Sequence, residues 1–484
     1  MKKVSSGSKP SKRPKQETIS KTSDEENLIY EDPADDEFES EEGAIIHSGS
    51  SIGEAEDWED FENLRLEDTG TGDVQLVSDP NYQAMEEEES KEDIVKEIWV
   101  GDSRKLKVDE VLDFENEAYD LFYRTSVEWP CLSLDIVQGS INSSSFPYTV
   151  YLASGSQAIS GDNKIYIMKW SELYKTKDDD KEESSEDGIS SSDEEEGMEA
   201  KMEYAEFCHQ GVVNRIRTNN ELGVVATWSE RGSVQIFNIK ENLDMLEKQG
   251  GLVKSPSNTI ASWRMGNEGY GLCWGQNGWL YAGGDCLYIY PYDGASWAHS
   301  QTLTGHASSI EDIQRSPTEP SVLATCSADK TIKIWDLRTA NDDSQLTINA
   351  HSSDVNVIAW NTIETSQIAS GSDDSTFKVW DLRFTDKQAA CIKWHSDSIT
   401  SIAWNPLDAS EIAVSSADDR ITIWDLSVEA EGEIEPGFPS QLLFIHQGQE
   451  DIKEIIYHPS LNVLISTAAN SFNLFRPSIN VEDE

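Results

Sequence analysis

The sequence predicts an all-β fold built from repeated four-stranded units that close on themselves as a ring. Three observations carry this. His306, Asp329 and Trp335 are spaced 23 and then 6 residues apart, and the same spacing recurs at His351, Asp374 and Trp380 and at His395, Asp418 and Trp424. The units begin 45 and 44 residues apart, a period typical of repeat architectures. Within each unit apolar and polar residues alternate in short runs bounded by polar turns, as in strands with one buried face.

The unit 306–350 shows the elements in order. Ser309 to Ile313 alternates, Val322 to Ser327 is a short apolar run, Ala328 to Thr331 is a turn, and Ile332 to Trp335 alternates again before Asp336-Leu337-Arg338. A fourth strand, Gln345 to Ile348, leads to the next His. Such a unit buries each face against a neighbour, and a ring of units leaves no long free edge.

These residues resemble the WD-repeat β-propeller family, whose signature is visible as Trp335-Asp336, Trp380-Asp381 and Trp424-Asp425. The resemblance implies a hydrogen-bonded set in each blade: His306, Ser327, Asp329 and Trp335; His351, Ser372, Asp374 and Trp380; His395, Ser416, Asp418 and Trp424. A buried imidazole or indole N–H without a partner costs about 1–3 kcal/mol, so these histidines read as structural rather than catalytic or metal-binding.

Weaker units complete the ring. Residues 209–238 keep His209 and place Phe237 where Trp is expected; 266–292 keep three strands without the His; 446–475 keep His446 without the turn Asp; and 148–170 give two further strands. Seven blades result. The last unit ends after three strands, so the strand Cys131 to Val137 is expected to complete it and lock the ring. The propeller is expected over 131–477, with a short tail at 478–484.

Composition bounds the remainder. The 484 residues carry a net charge of −53, unevenly spread. Asp24 to Glu97 holds 28 acidic residues against three basic ones, and Asp178 to Glu203 holds 13 against two, so 36 of the 53 excess negative charges lie in two segments. Neither has the apolar content for a core, and both are expected to be disordered. These are an N-terminal region over 1–105 and an insertion within the first blade over 176–200. Six cysteines show no CxxC pair or zinc spacing, and no run of 18 apolar residues exists, which argues against a disulfide scaffold and a membrane-spanning helix. No phosphate loop, nucleophile elbow or HExxH motif is present. The expectation is a monomeric, non-enzymatic protein without metal or cofactor.

Two further segments carry information. Lys9, Lys12, Arg13 and Lys15 form a compact basic cluster of the kind read as a nuclear import signal. Ser190, Ser191 and Ser192 precede a run of acidic residues and suit an acidophilic kinase, whose phosphates would deepen the negative field. Specific nucleic-acid binding is not expected, because the acidic tract repels phosphate.

Before the ring, 106–130 reads as a short rim helix. Asp113 is its candidate N-cap, Glu115 and Glu117 suit the first turn, and Ala118, Leu121, Phe122 and Thr125 share one helical face. A second short helix is expected from Glu92 to Trp99. Tyr119-Asp120-Leu121 through Glu128-Trp129-Pro130-Cys131-Leu132-Ser133 resembles the N-terminal segment of histone-binding, chromatin-assembly propellers. So does the insertion 428–440, which carries Glu429, Glu431, Glu433 and Glu435 before Pro436-Gly437-Phe438-Pro439. That resemblance implies a client groove lined by Leu121, Phe122 and Phe438, with the acidic insertion beside it. A closer match is the glutamate-rich WD-repeat branch, through Tyr30-Glu31-Asp32-Pro33, Trp129-Pro130-Cys131-Leu132-Ser133-Leu134-Asp135 and the acidic insertion in blade one.

This second resemblance implies a nuclear and nucleolar chaperone of a basic ribosomal protein, the large-subunit protein L-three in fungal members, with pre-ribosomal particles as further contacts. Expected client-binding acids are Asp178, Asp179, Asp180, Glu182, Glu183, Asp193, Glu194, Glu195 and Glu196, with the four glutamates of 428–440. The alternatives are a histone chaperone and, from Trp335-Asp336-Leu337-Arg338 and Trp380-Asp381-Leu382-Arg383, a ubiquitin-ligase substrate receptor.

Overall fold

Alternating short strands need a partner on each edge and each face, and a ring of twisted four-stranded sheets supplies both. A computed structural model describes residues 116–138, 145–158, 162–176, 200–339, 343–429, 433–435 and 438–479. They form seven blade sheets, antiparallel except for a fifth strand, Leu252–Lys254, added in parallel to the outer edge of the first, and their innermost strands neighbour one another in chain order and return from the seventh to the first. Each sheet is a blade, with strands a to d from the channel outward. Blade 4 shows the pattern: Ile310–Arg315, Val322–Ser327, Thr331–Asp336 and Leu346–Asn349.

The core lies between blades. Trp335, Trp380 and Trp424 are all nearly fully buried, each in a cluster with apolar side chains of its neighbouring strands. Because strands alternate in direction, the a–b and c–d connections emerge on one face of the ring, here called lower, and the b–c and d–a connections on the upper face.

The closure differs from expectation. Cys131–Val137 is strand a of blade 1, paired with Tyr148–Ser156. The locking strand is Tyr119–Thr125, antiparallel to Phe472–Pro477 of blade 7, with Phe122 opposite Phe475. The rim helix is therefore absent from the described residues of that segment, where a single 3-10 turn, Asn116–Ala118, precedes the strand. The reason is edge pairing. Blade 7 has only three strands of its own, and the segment carries both patterns: Ala118, Leu121, Phe122 and Thr125 fit period 3.6, while Tyr119, Leu121, Tyr123 and Thr125 fit period two. Satisfying a row of open backbone groups outweighs a short isolated helix, which is marginal in water. The segment 92–99 lies outside the described residues. An unanticipated α-helix, Lys240–Gln249, occupies the c–d connection of blade 2, buries Leu246 and packs Leu243 and Met245 against the core between blades 1 and 2.

Buried charge ties the ring across its channel. The Glu454 carboxylate of blade 7 accepts hydrogen bonds from Arg215 Nη1 at 2.8 Å and Arg217 Nη2 at 2.7 Å, both from blade 2. It also accepts from Ser133 Oγ at 2.6 Å and Leu134 N at 2.9 Å in blade 1. Burial opposes its ionisation, but the two guanidinium groups outweigh that and hold it at about 2.

Candidate functional site

The upper face is occupied by the repeat motif. In blade 4, His306 Nδ1 lies 2.8 Å from Asp329 Oδ2, and Thr325 Oγ1 bridges His306 Nε2 at 2.7 Å and Trp335 Nε1 at 2.8 Å. In blade 5, His351 meets Asp374 at 3.1 Å, and Ser370 Oγ bridges His351 at 2.8 Å and Trp380 at 3.0 Å. In blade 6, His395 meets Asp418 at 3.0 Å, and Thr422 Oγ1 bridges His395 at 2.9 Å and Trp424 at 2.7 Å. The bridging hydroxyls are thus Thr325, Ser370 and Thr422, not Ser327, Ser372 and Ser416. Each of those serines instead accepts the amide of the turn Asp, and Ser327 and Ser416 also donate to carbonyls of the preceding loop. Residues two apart on a strand share a face, so sequence spacing alone cannot choose between them. In blade 6, Val414 holds the position of Thr325, and its cross-strand partner Thr422 supplies the hydroxyl.

Burial keeps His306 and His351 below the usual imidazole range. Burial opposes ionisation of Asp374, but hydrogen bonds from Thr376, Ser352 and His351 outweigh it and hold the carboxyl far below the usual range. These groups are fully engaged with one another. Among the described residues no group of three or more His, Cys, Asp or Glu could hold a metal ion.

The lower face is organised differently. At the seam of blades 6 and 7 lies a groove of about 420 Å³, lined by Asp120, Asp408, Glu411, Asp425, Leu443, Tyr457, Leu464, Arg476 and Ile479 among others. Asp120 comes from the closing strand, Asp408 and Glu411 from the a–b connection and strand b of blade 6, and Asp425 from the end of its strand c. The carboxylates of Asp408, Glu411 and Asp425 are positioned by neutral donors. Asp408 accepts from Ser410 N and Oγ at 2.8 Å, Glu411 from Tyr457 Oη at 2.7 Å and Asn405 Nδ2 at 2.9 Å, and Asp425 from Ser427 N at 2.8 Å and Oγ at 2.7 Å. None of the four pairs with Lys or Arg among the described residues. Arg476 is committed elsewhere, to the carbonyls of Leu461 and Asn462. Burial lifts Tyr457 well above its usual range, and Glu411 adds to it, so it stays a neutral donor.

Three connections root at this groove. The closing strand begins there, with Ser478 N bonded to Ala118 O at 2.9 Å. The c–d connection of blade 1 leaves from Thr176, whose N–H donates to Asp120 O at 3.0 Å. The c–d connection of blade 6 is the insertion 428–440, whose Glu433–Glu435 and Phe438–Pro439 pair as a small hairpin, with Gln441 Nε2 bonded to Val428 O at its base.

The expected site residues fall out as follows. Leu121 is fully buried between blades 7 and 1 and lines no groove. Strand geometry turns successive side chains to opposite faces, so Phe122 points the other way, toward blade 6, with its ring 5.0 Å from Tyr119 and 5.9 Å from His446. Phe438 is half-buried and Glu429 is exposed. The acidic insertion 177–199, with Asp178 to Glu196 and Ser190 to Ser192, the basic cluster Lys9 to Lys15, and Glu431 lie outside the described residues. Asp120, Asp408, Glu411, Asp425 and Tyr457 escaped the sequence reading: Glu411 and Asp425 meet through strand register within blade 6, Tyr457 joins them from blade 7, and Asp120 arrives only with ring closure. Arg338 and Arg383 chelate Asp336 and Asp381 within their own turns.

Comparison with known proteins fits this geometry. Residues 109–174 match the family model of the histone-binding protein RBBP4 and its counterpart in the CAF1 complex, and 297–336, 343–381 and 386–425 match the WD domain, G-beta repeat. The chain is 45% identical to glutamate-rich WD repeat-containing protein 1 of Dictyostelium discoideum over 79% of its own length and 85% of that protein's. It is 33% identical to ribosome assembly protein rrb1 of Schizosaccharomyces pombe over 95% of both chains. Likeness to histone acetyltransferase type B subunit 2 of Aspergillus oryzae is weaker, 27% over 46% of this chain. With a closed seven-bladed ring, three complete repeat motifs and full-length relatives, the chain belongs to the glutamate-rich WD-repeat family.

Proposed function

We propose that the protein is a non-enzymatic nuclear and nucleolar assembly factor that shields a basic ribosomal protein, L-three, on its way into the large ribosomal subunit. The observation that carries this reading is the convergence of negative charge on one place. The groove carboxylates lack cationic partners among the described residues, and both Thr176, the last described residue before the acidic sequence 177–199, and the base of the glutamate-bearing hairpin lie beside them. A rigid acidic groove suits a defined basic patch. The acidic segments add range and speed of capture, at a strength that falls with salt. Ribosomal RNA, with its dense phosphates, is the natural competitor that releases the client. The relative named for ribosome assembly, aligned over 95% of this chain, supports the ribosomal assignment.

A histone client is the second reading, favoured by the family match over 109–174. Recovery of the tagged full-length protein from nuclear lysate, followed by identification of its stoichiometric basic partner, separates the two. L-three is expected; core histones in its place would overturn the ribosomal reading. Deletion of 178–196 is expected to weaken client binding and flatten its salt dependence, and unchanged binding at low salt would reduce that segment to a spacer.

A further inference from the structure

Large exposed apolar side chains are not scattered evenly over this ring. Of the six among the described residues, three lie on the lower face of two adjacent blades: Ile363 at 48%, Leu407 at 56% and Phe384 at 73% exposure. Ile363 and Leu407 hold equivalent places in the a–b connections of blades 5 and 6, each two residues after a buried Asn. The matching residues of blades 4 and 7 are Thr318 and Ser460. Nothing in the repeat pattern therefore requires an aliphatic side chain there.

Both side chains are held outward by rigid turns. Asn361 Oδ1 accepts the amides of Ile363 and Glu364 at 2.9 Å, and Asn405 Oδ1 accepts that of Leu407 at 2.9 Å. The turns are also fastened to one another. Asn361 Nδ2 donates to Ala409 O at 2.8 Å, and Asn405 Nδ2 to Asn462 Oδ1 of blade 7 at 2.8 Å. Exposed apolar groups on a stiff support lose little entropy on contact, which favours their use as anchors. The residue after Leu407 is Asp408, a wall of the acidic groove, so apolar and acidic surfaces meet at one peptide bond.

We propose that the lower-face turns of blades 5 and 6 form an apolar platform that continues the acidic groove and receives the aliphatic or aromatic side chains of a basic client segment. The segment runs across the face, with its Lys and Arg side chains in the groove and its apolar side chains on Leu407, Ile363 and Phe384. Charge complementarity selects this occupant. The groove beside the platform carries carboxylates without cationic partners among the described residues, so a neutral or acidic segment gains nothing there. The platform accounts for selectivity that charge alone lacks, because any polycation satisfies an acidic groove, whereas only one with apolar residues in register covers both surfaces. The inference rests on the client reading above and deepens it.

The test uses full-length protein and two fluorescent synthetic peptides of equal charge, one alternating Lys and Leu, the other Lys and Ser. Wild-type protein is expected to prefer the Lys–Leu peptide. The variant I363S/F384S/L407S, altered only at exposed positions, is expected to bind that peptide about tenfold more weakly, roughly 1.4 kcal/mol, and to bind the Lys–Ser peptide unchanged. The variant D408N/D425N is expected to weaken both. Equal wild-type affinity for the two peptides, or Lys–Leu binding untouched by the platform substitutions, would overturn the proposal while leaving the groove reading intact. Loss of the platform effect alone beside a normal charge effect, and the reverse, therefore identify which idea fails. A concentration-dependent dimer dissolved by L407S in sedimentation would assign the platform to a second copy and also overturn the proposal.

Discussion

The two faces of the ring use the same residue type for opposite purposes. On the upper face, Asp329, Asp374 and Asp418 each meet a buried His, and the hydroxyl beyond it holds a Trp. On the lower face, Asp408, Glu411 and Asp425 are fixed only by neutral Ser, Asn and Tyr donors. A carboxylate matched inside the fold contributes to stability and shows little field outside. One that is oriented but left without a counterion keeps its field for a partner. The comparison teaches that positioning and neutralisation are separable, and that the second is the better mark of a binding surface.

The sharpest way to break this distinction is to remove a matched carboxylate. Glu454→Ala leaves Arg215 and Arg217 buried without their partner, and a loss of about 3–5 kcal/mol is expected in urea unfolding. Its pH dependence has a definite sign. The folded Glu454 titrates at about 2 against an ordinary 4.5, so its contribution is complete above pH 4.5 and disappears as pH falls through 2. Unfolding midpoints followed from pH 6 to 2 should fall steeply for the wild type and less steeply for Glu454→Gln. Parallel curves would remove Glu454 from the closure.

A middle-sized effect sharpens the lower face. Asp408→Asn with Asp425→Asn should change unfolding free energy by no more than about 0.5 kcal/mol, as surface substitutions do. The same variant should lower affinity for a basic client, with a shallower dependence on salt. Destabilisation without loss of binding would mean these carboxylates serve the fold after all. The smallest effect is expected from Arg338→Ala and Arg383→Ala. Their guanidinium groups are exposed and satisfied within their own turns, so neither the thermal midpoint nor client binding should move.

How far the sequence could be read depended on the range of the interactions. Blades 4, 5 and 6 were legible because their His, Asp and Trp sit at fixed spacings within one unit. The bridging hydroxyl was misplaced by two residues at Thr325 and Ser370, since period two makes both candidates point the same way. In blade 6 it moved to another strand at Thr422, where the register with Val414 decides. Tyr119 to Thr125 satisfied helical and strand patterns together, and only the open edge of Phe472–Pro477 resolved them.

The sequence by itself determined the repeat, the number of blades, the structural role of the upper-face histidines and the uneven charge, because each is written in local spacing or composition. The tertiary structure alone decided which strand closes the ring, that Leu121 is core while Phe122 faces blade 6, and that Asp120 joins Asp408, Glu411 and Asp425 in one groove. Those outcomes bring residues near the two chain ends together. Such contacts depend on completed sheet edges rather than on any pattern along the chain.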